Sequence, residues 1–456
     1  MTPSTKGTSP GNAPSPLEPL ALYGDGFAAD PHGHYRRLRA QGPLARVRIA
    51  PDIDAMLVTD YHAAADLLRD TETFTKDPRA WQAGVPADSP VLPVLGHRPT
   101  ALFTDGAVHA RYRDAINDTL ALIEPHLLRA EVVRVSQRLI AEFSATGTGD
   151  LIAQYARRLP LHVFTAAFGV ATEDVRRVVR GTAGMMDSGA DATEAYEDLV
   201  AVVSALVSER RRRPGRDLTT YLLAHPAGLD DNEAVRQITL IMSVGHDPTT
   251  NLIGNALLRM LSDTGYGGSL HGGATTAREA VDDVLWRDPP LANLGAHFPR
   301  YDTEFHGVPL RAGQLVLVSF AAANTQSTPA VPRTAVRSGD GGHLAWSTGP
   351  HRCPAKPSAL LMATTAIEQI TSQLCDLELA VEPGALVWRP GPFHRALAHL
   401  PVRFTPLDAF VDPEDAFAGP DDALVERDDA RVEPDAAEAP DSADHAPNRV
   451  GGTPNG

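Results

Sequence analysis

Cys353 is the residue whose neighbours say most about chemistry. It stands in the run Trp346-Ser347-Thr348-Gly349-Pro350-His351-Arg352-Cys353-Pro354-Ala355, a Gly- and Pro-bearing loop that ends at a predicted helix over 356–374. The positive end of that helix favours a thiolate over a thiol, and a thiolate binds iron. Taken alone, a single cysteine in such a chain is more often a buried structural residue. A second pair of interest is His109 and Arg113, four residues apart and so on one face of a predicted helix. That face could hold an anionic ligand, and equally could be an ordinary solvated surface.

Holding such groups in place falls mainly to helices. Apolar residues recur at three- and four-residue spacing over 107–123, 125–144, 150–168, 173–186, 193–212 and 232–262, the period of an amphipathic helix. Strand signals are short and scattered, the best being 55–59, 315–320 and 400–404. These patterns give a mainly α (α+β) fold, one large helical domain over residues 17–406 with small peripheral β-sheets. Residues 1–16 are rich in Pro, Ser, Thr and Gly, and residues 407–456 in Asp, Glu, Ala and Pro; both are expected to be disordered tails, because neither can offset its ordering entropy by burial. The Gly-rich stretch 263–276 is expected to be a loop.

Composition removes several function classes. The formal charge of the 456-residue chain is -16, and residues 407–456 carry 14 acidic against 3 basic residues, so the body is only mildly acidic. The clustered positive charge of nucleic-acid binding is missing. Two cysteines, Cys353 and Cys375, do not make a disulfide scaffold, which fits a reducing cytoplasm. The N-terminus has no apolar signal region and no window is apolar enough to span a bilayer, so neither secretion nor membrane insertion is expected.

The Cys353 loop resembles the haem-binding signature of the cytochrome P-450 superfamily, Phe-Gly-x-Gly-x-His/Arg-x-Cys-x-Gly, through Gly349, His351 and Cys353, with Trp346 in place of Phe. Segments 105–113, 150–170, 238–257, 280–290, 305–324 and 388–404 follow in that family's order. The resemblance implies the P-450 fold and haem b (iron protoporphyrin IX), with Cys353 as axial ligand. It also implies that His109, Arg113 and His351 clamp the propionates. His297 falls at a further propionate position that is usually Arg, with Arg300 close by.

Three departures accompany the resemblance. Where the family has Ala-Gly-x-Glu/Asp-Thr in its longest helix, this chain reads Val244-Gly245-His246-Asp247-Pro248-Thr249-Thr250. Asp247 keeps the proton-relay acid, but Pro248 replaces the alcohol and frees the Val244 carbonyl. Thr249 is turned about 100° round the helix and substitutes only if the kink rotates it inward; capping freed backbone is its other role. The Glu-x-x-Arg pair becomes Asp283 and Trp286, as in an actinobacterial group of P-450 proteins, leaving Arg287 to pair with Asp283 on an exposed face at less than about 1 kcal/mol. Arg333 and Arg337 stand in a short meander at 326–342. Pro354, directly after the cysteine, has no N–H to give the thiolate.

The implied activity is a monooxygenase oxidising an apolar small molecule with O2. Its electrons would come from ferredoxin and ferredoxin reductase, the ferredoxin docking near Arg352 and Lys356. A monomer is expected, with selectivity set by the segments 78–104 and 169–195. The alternative that Pro248 suggests is a haem-binding sensor or signalling partner with little turnover. Peroxide-driven oxidation or isomerisation, which need little proton delivery, form a third class.

Overall fold

Three- and four-residue apolar spacing becomes helix along most of the chain. In the computed structural model, residues 18–178, 180–181, 192–262, 276–326 and 342–407 are described. The principal helices are α1 (Gly106–Ala121), α2 (Pro125–Ala141), α3 (Arg158–Phe168), α4 (Ala192–Arg212), α5 (Asp231–Ser262), α6 (Ala277–Arg287) and α7 (Lys356–Gln373). Several starts are explicit in local chemistry. Pro125 opens α2 at a position where its missing N–H costs nothing. Thr276 and Glu279 form a reciprocal capping box at the head of α6.

Strands β1 (Leu44–Ala50) and β2 (Ile53–Val58) form an antiparallel hairpin that turns at Asp52, whose φ is 62°. Strand β2 then pairs in parallel with β4 (Val316–Ser319), and β4 antiparallel with β3 (Asn293–Pro299). Leu20–Ala21 and Phe74–Thr75 complete a six-stranded sheet at its two edges. A three-stranded sheet joins Glu378–Leu379, Pro401–Arg403 and Thr148–Asp150. That last pairing interrupts the helix expected over 150–168: the chain leaves the strand through a π-turn, Ile152–Ala156, before α3 begins.

The largest apolar cluster joins α2, α3, α5, α6 and α7 through residues such as Val132, Leu159, Ile253, Val284 and Ile367. A second joins α1, α3, α4 and the first half of α5. Helix α5 is therefore packed into one core through its first half and into the other through its second, and its 32 residues accommodate Pro248 without ending. Among the described residues no helix is long and apolar enough to cross a membrane. The expected tails, Arg333, Arg337, most of the 263–276 loop and part of the 173–186 helix lie outside the described residues. Leu407, assigned to the tail from sequence, is described, and its N–H donates to the Ser144 carbonyl at 3.0 Å.

Candidate functional site

The cysteine loop is shaped by its own backbone. The Cys353 N–H returns to the Trp346 carbonyl at 2.9 Å, the Ser347 N–H donates to Leu344 at 2.7 Å, and the Arg352 N–H donates to Gly349 at 3.2 Å. Gly349 has φ 71°, and a Cβ there would lie 2.3 Å from the Leu68 carbonyl oxygen, so only glycine fits. Ser347, at the signature's first glycine, also holds a left-handed φ of 61° and bears the cost, about 1–2 kcal/mol. Burial pushes the Cys353 thiol up. The backbone N–H groups of Ala355 and Lys356 and the charge of Arg113 oppose that rise. The donor that Pro354 lacks is thus replaced by the next two residues, the N-cap and first residue of α7.

A cluster of donors lies beside this loop. The His109 and His351 rings are 4.1 Å apart between centroids. Burial, then the Lys76 charge, pushes His351 down to about 2; burial, then Arg113, lowers His109. His297, on β3, is buried against Phe74, and its Nδ1 lies 2.6 Å from the Gly295 carbonyl. Burial and Lys76 push it well below the usual histidine value. Lys76 is 4% exposed, donates to the Ala296 carbonyl, and is lowered to about 8 by burial. Asp105 does not cap α1: its carboxylate accepts from Thr75 and from the Lys76 N–H at 3.0 Å. It also pairs with Arg300 at 3.4 Å. The structure thus brings His109, His297 and His351 together around Lys76. Arg113 instead hydrogen-bonds the carbonyl of Arg352, tying α1 to the cysteine loop.

The middle of α5 is organised by a buried ion pair. Asp247 is 2% exposed, with Oδ1 3.1 Å from Arg389 Nη1 and Oδ2 accepting from Asn251 Nδ2 at 2.9 Å. Burial alone would raise this carboxyl; Arg389, with His394 and His246, outweighs it and holds it below the usual carboxylate value. The Thr249 hydroxyl donates to the Gly245 carbonyl at 2.6 Å. Beside them is a cavity walled by Pro93, Phe103, Val244, Pro248, Leu291 and Leu294 among others. Pro248 lines it; Asp247 and Thr249 do not.

Behind the loop, the Asp283 pair is less exposed than expected. Asp283 is 6% exposed and pairs with Arg287 at 2.7 Å and with Arg259 of α5 at 2.7 Å, a partner that the sequence did not indicate. Trp286 packs edge-on against His343, with centroids 5.7 Å apart. Asn324 links the two sides: Nδ2 donates to the Leu285 carbonyl at 3.1 Å and Oδ1 accepts from the Leu344 N–H at 2.8 Å.

No family model matches the chain. Among curated proteins it is 31% identical over 402 residues to the cytochrome P450 monooxygenase PikC of Streptomyces venezuelae, covering 86% of this chain and 95% of that one. The chain belongs to the cytochrome P450 superfamily. It is 30% identical to the nocardicin C N-oxygenase of Nocardia uniformis subsp. tsuyamanensis, over 83% of this chain and 97% of that protein. A solved structure, CYP154C4 from Streptomyces sp. W2061, superposes with TM-score 0.76 at 27% identity, over 85% of this chain and 98% of that one.

As a P450 the chain is an oxygen-incorporating oxidoreductase whose cofactor is haem. The residues present fit that group. Among the described residues His109 Nε2 and Trp346 Nε1 are buried without a hydrogen-bond partner, and the carboxylate nearest the buried set of four donors (Lys76, His109, His297, His351) is Asp105, which stands 3.9 Å from His351 Nε2 and accepts its close hydrogen bonds from Thr75 and the Lys76 backbone. Such a set is suited to a dianionic ligand beside a thiol. Sequence reasoning missed Lys76, although it is one of only three lysines in the chain.

Proposed function

We propose that the chain is a haem-thiolate monooxygenase that inserts one oxygen atom into a small molecule with a largely apolar body, with electrons from a ferredoxin and its reductase. The observation that carries this reading is the meeting of the Cys353 thiol with the buried His109, His351, His297 and Lys76 donors where α1, β3 and the cysteine loop join. When bound, haem supplies the activation of molecular oxygen. Cys353 would hold its iron, with the Ala355 and Lys356 N–H groups directed at the sulfur. His109, Arg113, His351, His297 and Lys76 would hold its propionates, Arg113 by giving up the Arg352 carbonyl.

Asp247 is the proton-relay acid. Its Oδ1 stays with Arg389, and Oδ2 must release Asn251 to carry a proton toward the cavity. Thr249 supports the helix by binding the Gly245 carbonyl, and its hydroxyl serves the relay only if it leaves that carbonyl. Ferredoxin would dock on the cysteine side, where Arg352 and Lys356 line one groove and complement an acidic carrier. The haem domain would run over residues 17–406 and take in Leu407, whose N–H binds the Ser144 carbonyl. The relatives' names, monooxygenase and N-oxygenase, weigh against a sensor without turnover.

The test is the spectrum of the reduced protein with carbon monoxide. Wild type should show the thiolate-type band and bind one haem, and Cys353→Ala should lose the band. A band that survives the substitution, or wild type that takes up no haem, overturns the assignment.

A further inference from the structure

The cavity wall along α5 is not uniformly apolar. Arg236, Thr239, Leu240, Ser243, Val244 and Pro248 share one helical face. At 1.5 Å per residue, Arg236 stands about 18 Å along the axis from Pro248. The wall is polar at the Arg236 end and apolar at the Pro248 end.

Arg98, Thr100, Arg236 and Thr239 line the polar end. Arg98 is already committed: its Nη2 donates to the Leu92 carbonyl at 3.0 Å and to Pro93, and its guanidinium lies 4.4 Å over the Tyr196 ring. Burial, together with the like charge of Arg236, lowers the Arg98 guanidinium from its ordinary value despite Tyr196. Among the described residues no carboxylate pairs with Arg236. Thr100 and Thr239 are also among the residues that line the cavity; each is 3% exposed, and among the described residues neither buried hydroxyl has a partner. A helical threonine ordinarily satisfies its hydroxyl on a carbonyl one turn back. Thr239 does not, which leaves it a donor for a ligand.

We propose, resting on the monooxygenase reading above, that this cavity takes an amphipathic carboxylate, its head held by the Arg236 guanidinium and the Thr100 and Thr239 hydroxyls and its apolar body laid along α5 toward Val244 and Pro248. An anion at that end relieves the repulsion between Arg98 and Arg236 and gives both hydroxyls an acceptor. A neutral ligand of the same length does not relieve the repulsion.

The test uses haem-loaded full-length protein, first checked for the thiolate-type carbon monoxide band. It is then titrated with dodecanoate and with dodecan-1-ol by calorimetry and by the shift of the haem absorption. Wild type should bind dodecanoate roughly ten- to hundredfold more tightly than the alcohol, the range of a charged hydrogen-bonded contact. Arg236→Ala and the better-packed Arg236→Gln should abolish the preference with dodecan-1-ol affinity unchanged, and Arg236→Lys should restore part of it. Equal affinity for the two probes, no binding of dodecanoate, or a preference that survives both neutral variants overturns the proposal. Absence of the band overturns the monooxygenase reading instead, so the two failures are distinguishable.

Discussion

Arg389 and Asp247 meet with side chains 11% and 2% exposed, so neither charge is solvated if the other is removed. Truncating one partner of such a pair costs about 3–5 kcal/mol, because the survivor is a buried, uncompensated charge. Arg389→Ala should therefore lower stability in urea denaturation by about that amount. The double variant Arg389→Ala with Asp247→Ala should lose less than the sum of the two single changes. Additive losses would mean that the two side chains act independently. The acid at 247 was legible from the sequence as the candidate for the relay proposed above. Its partner was not, since 142 residues separate them and Arg389 lies in an irregular segment without a periodic signal.

At the scale of the element, α5 carries the main departure from the family pattern. A proline inside a helix removes one backbone hydrogen bond and costs roughly 3 kcal/mol against a good helix former. Here the flanking cores hold the helix through it. Pro248 faces the cavity while the Thr249 hydroxyl is spent on Gly245, so no alcohol on this turn reaches the cavity wall. Pro248→Thr should raise the melting temperature and also the product formed per oxygen consumed, since a positioned proton donor is typically worth about 10²–10⁴ in rate. A coupling ratio unchanged by the substitution would show that another donor already serves. Helix α6 compensates differently for its missing arginine. Asp283 takes Arg287 and Arg259, Trp286 fills space against His343, and the amide of Asn324 joins α6 to the residues that precede the cysteine loop.

At the scale of the whole molecule, charge and sheet topology matter most. Residues 408–456 hold 14 of the 57 acidic residues and few large apolar ones, too few to contribute a core. Deleting them should leave the haem spectrum and the melting temperature unchanged, with Leu407 retained because its N–H binds Ser144. Loss of haem or a lowered melting temperature would show that the segment packs on the domain. The six-stranded sheet has a direct role at the site. Pairing of Phe74–Thr75 with Phe298 and Pro299 sets Lys76 next to His297, and Asp105 fastens that edge to the head of α1.

The sequence by itself determined the helical character, the cysteine loop and the order of the segments that resemble P450s, because helical periodicity and a short glycine-bearing loop are local properties. Set against that resemblance, it also marked Pro248, Trp286 and Pro354 as departures. Only the tertiary structure decided what those replacements meant. Whether Thr249 meets the cavity, whether Asp283 is buried, and which donors join His109 depend on helix rotation and on contacts between residues as far apart as 76 and 351. Lys76 is the clearest case: no local pattern marks it, and its role arises from the sheet edge that buries it among three histidines.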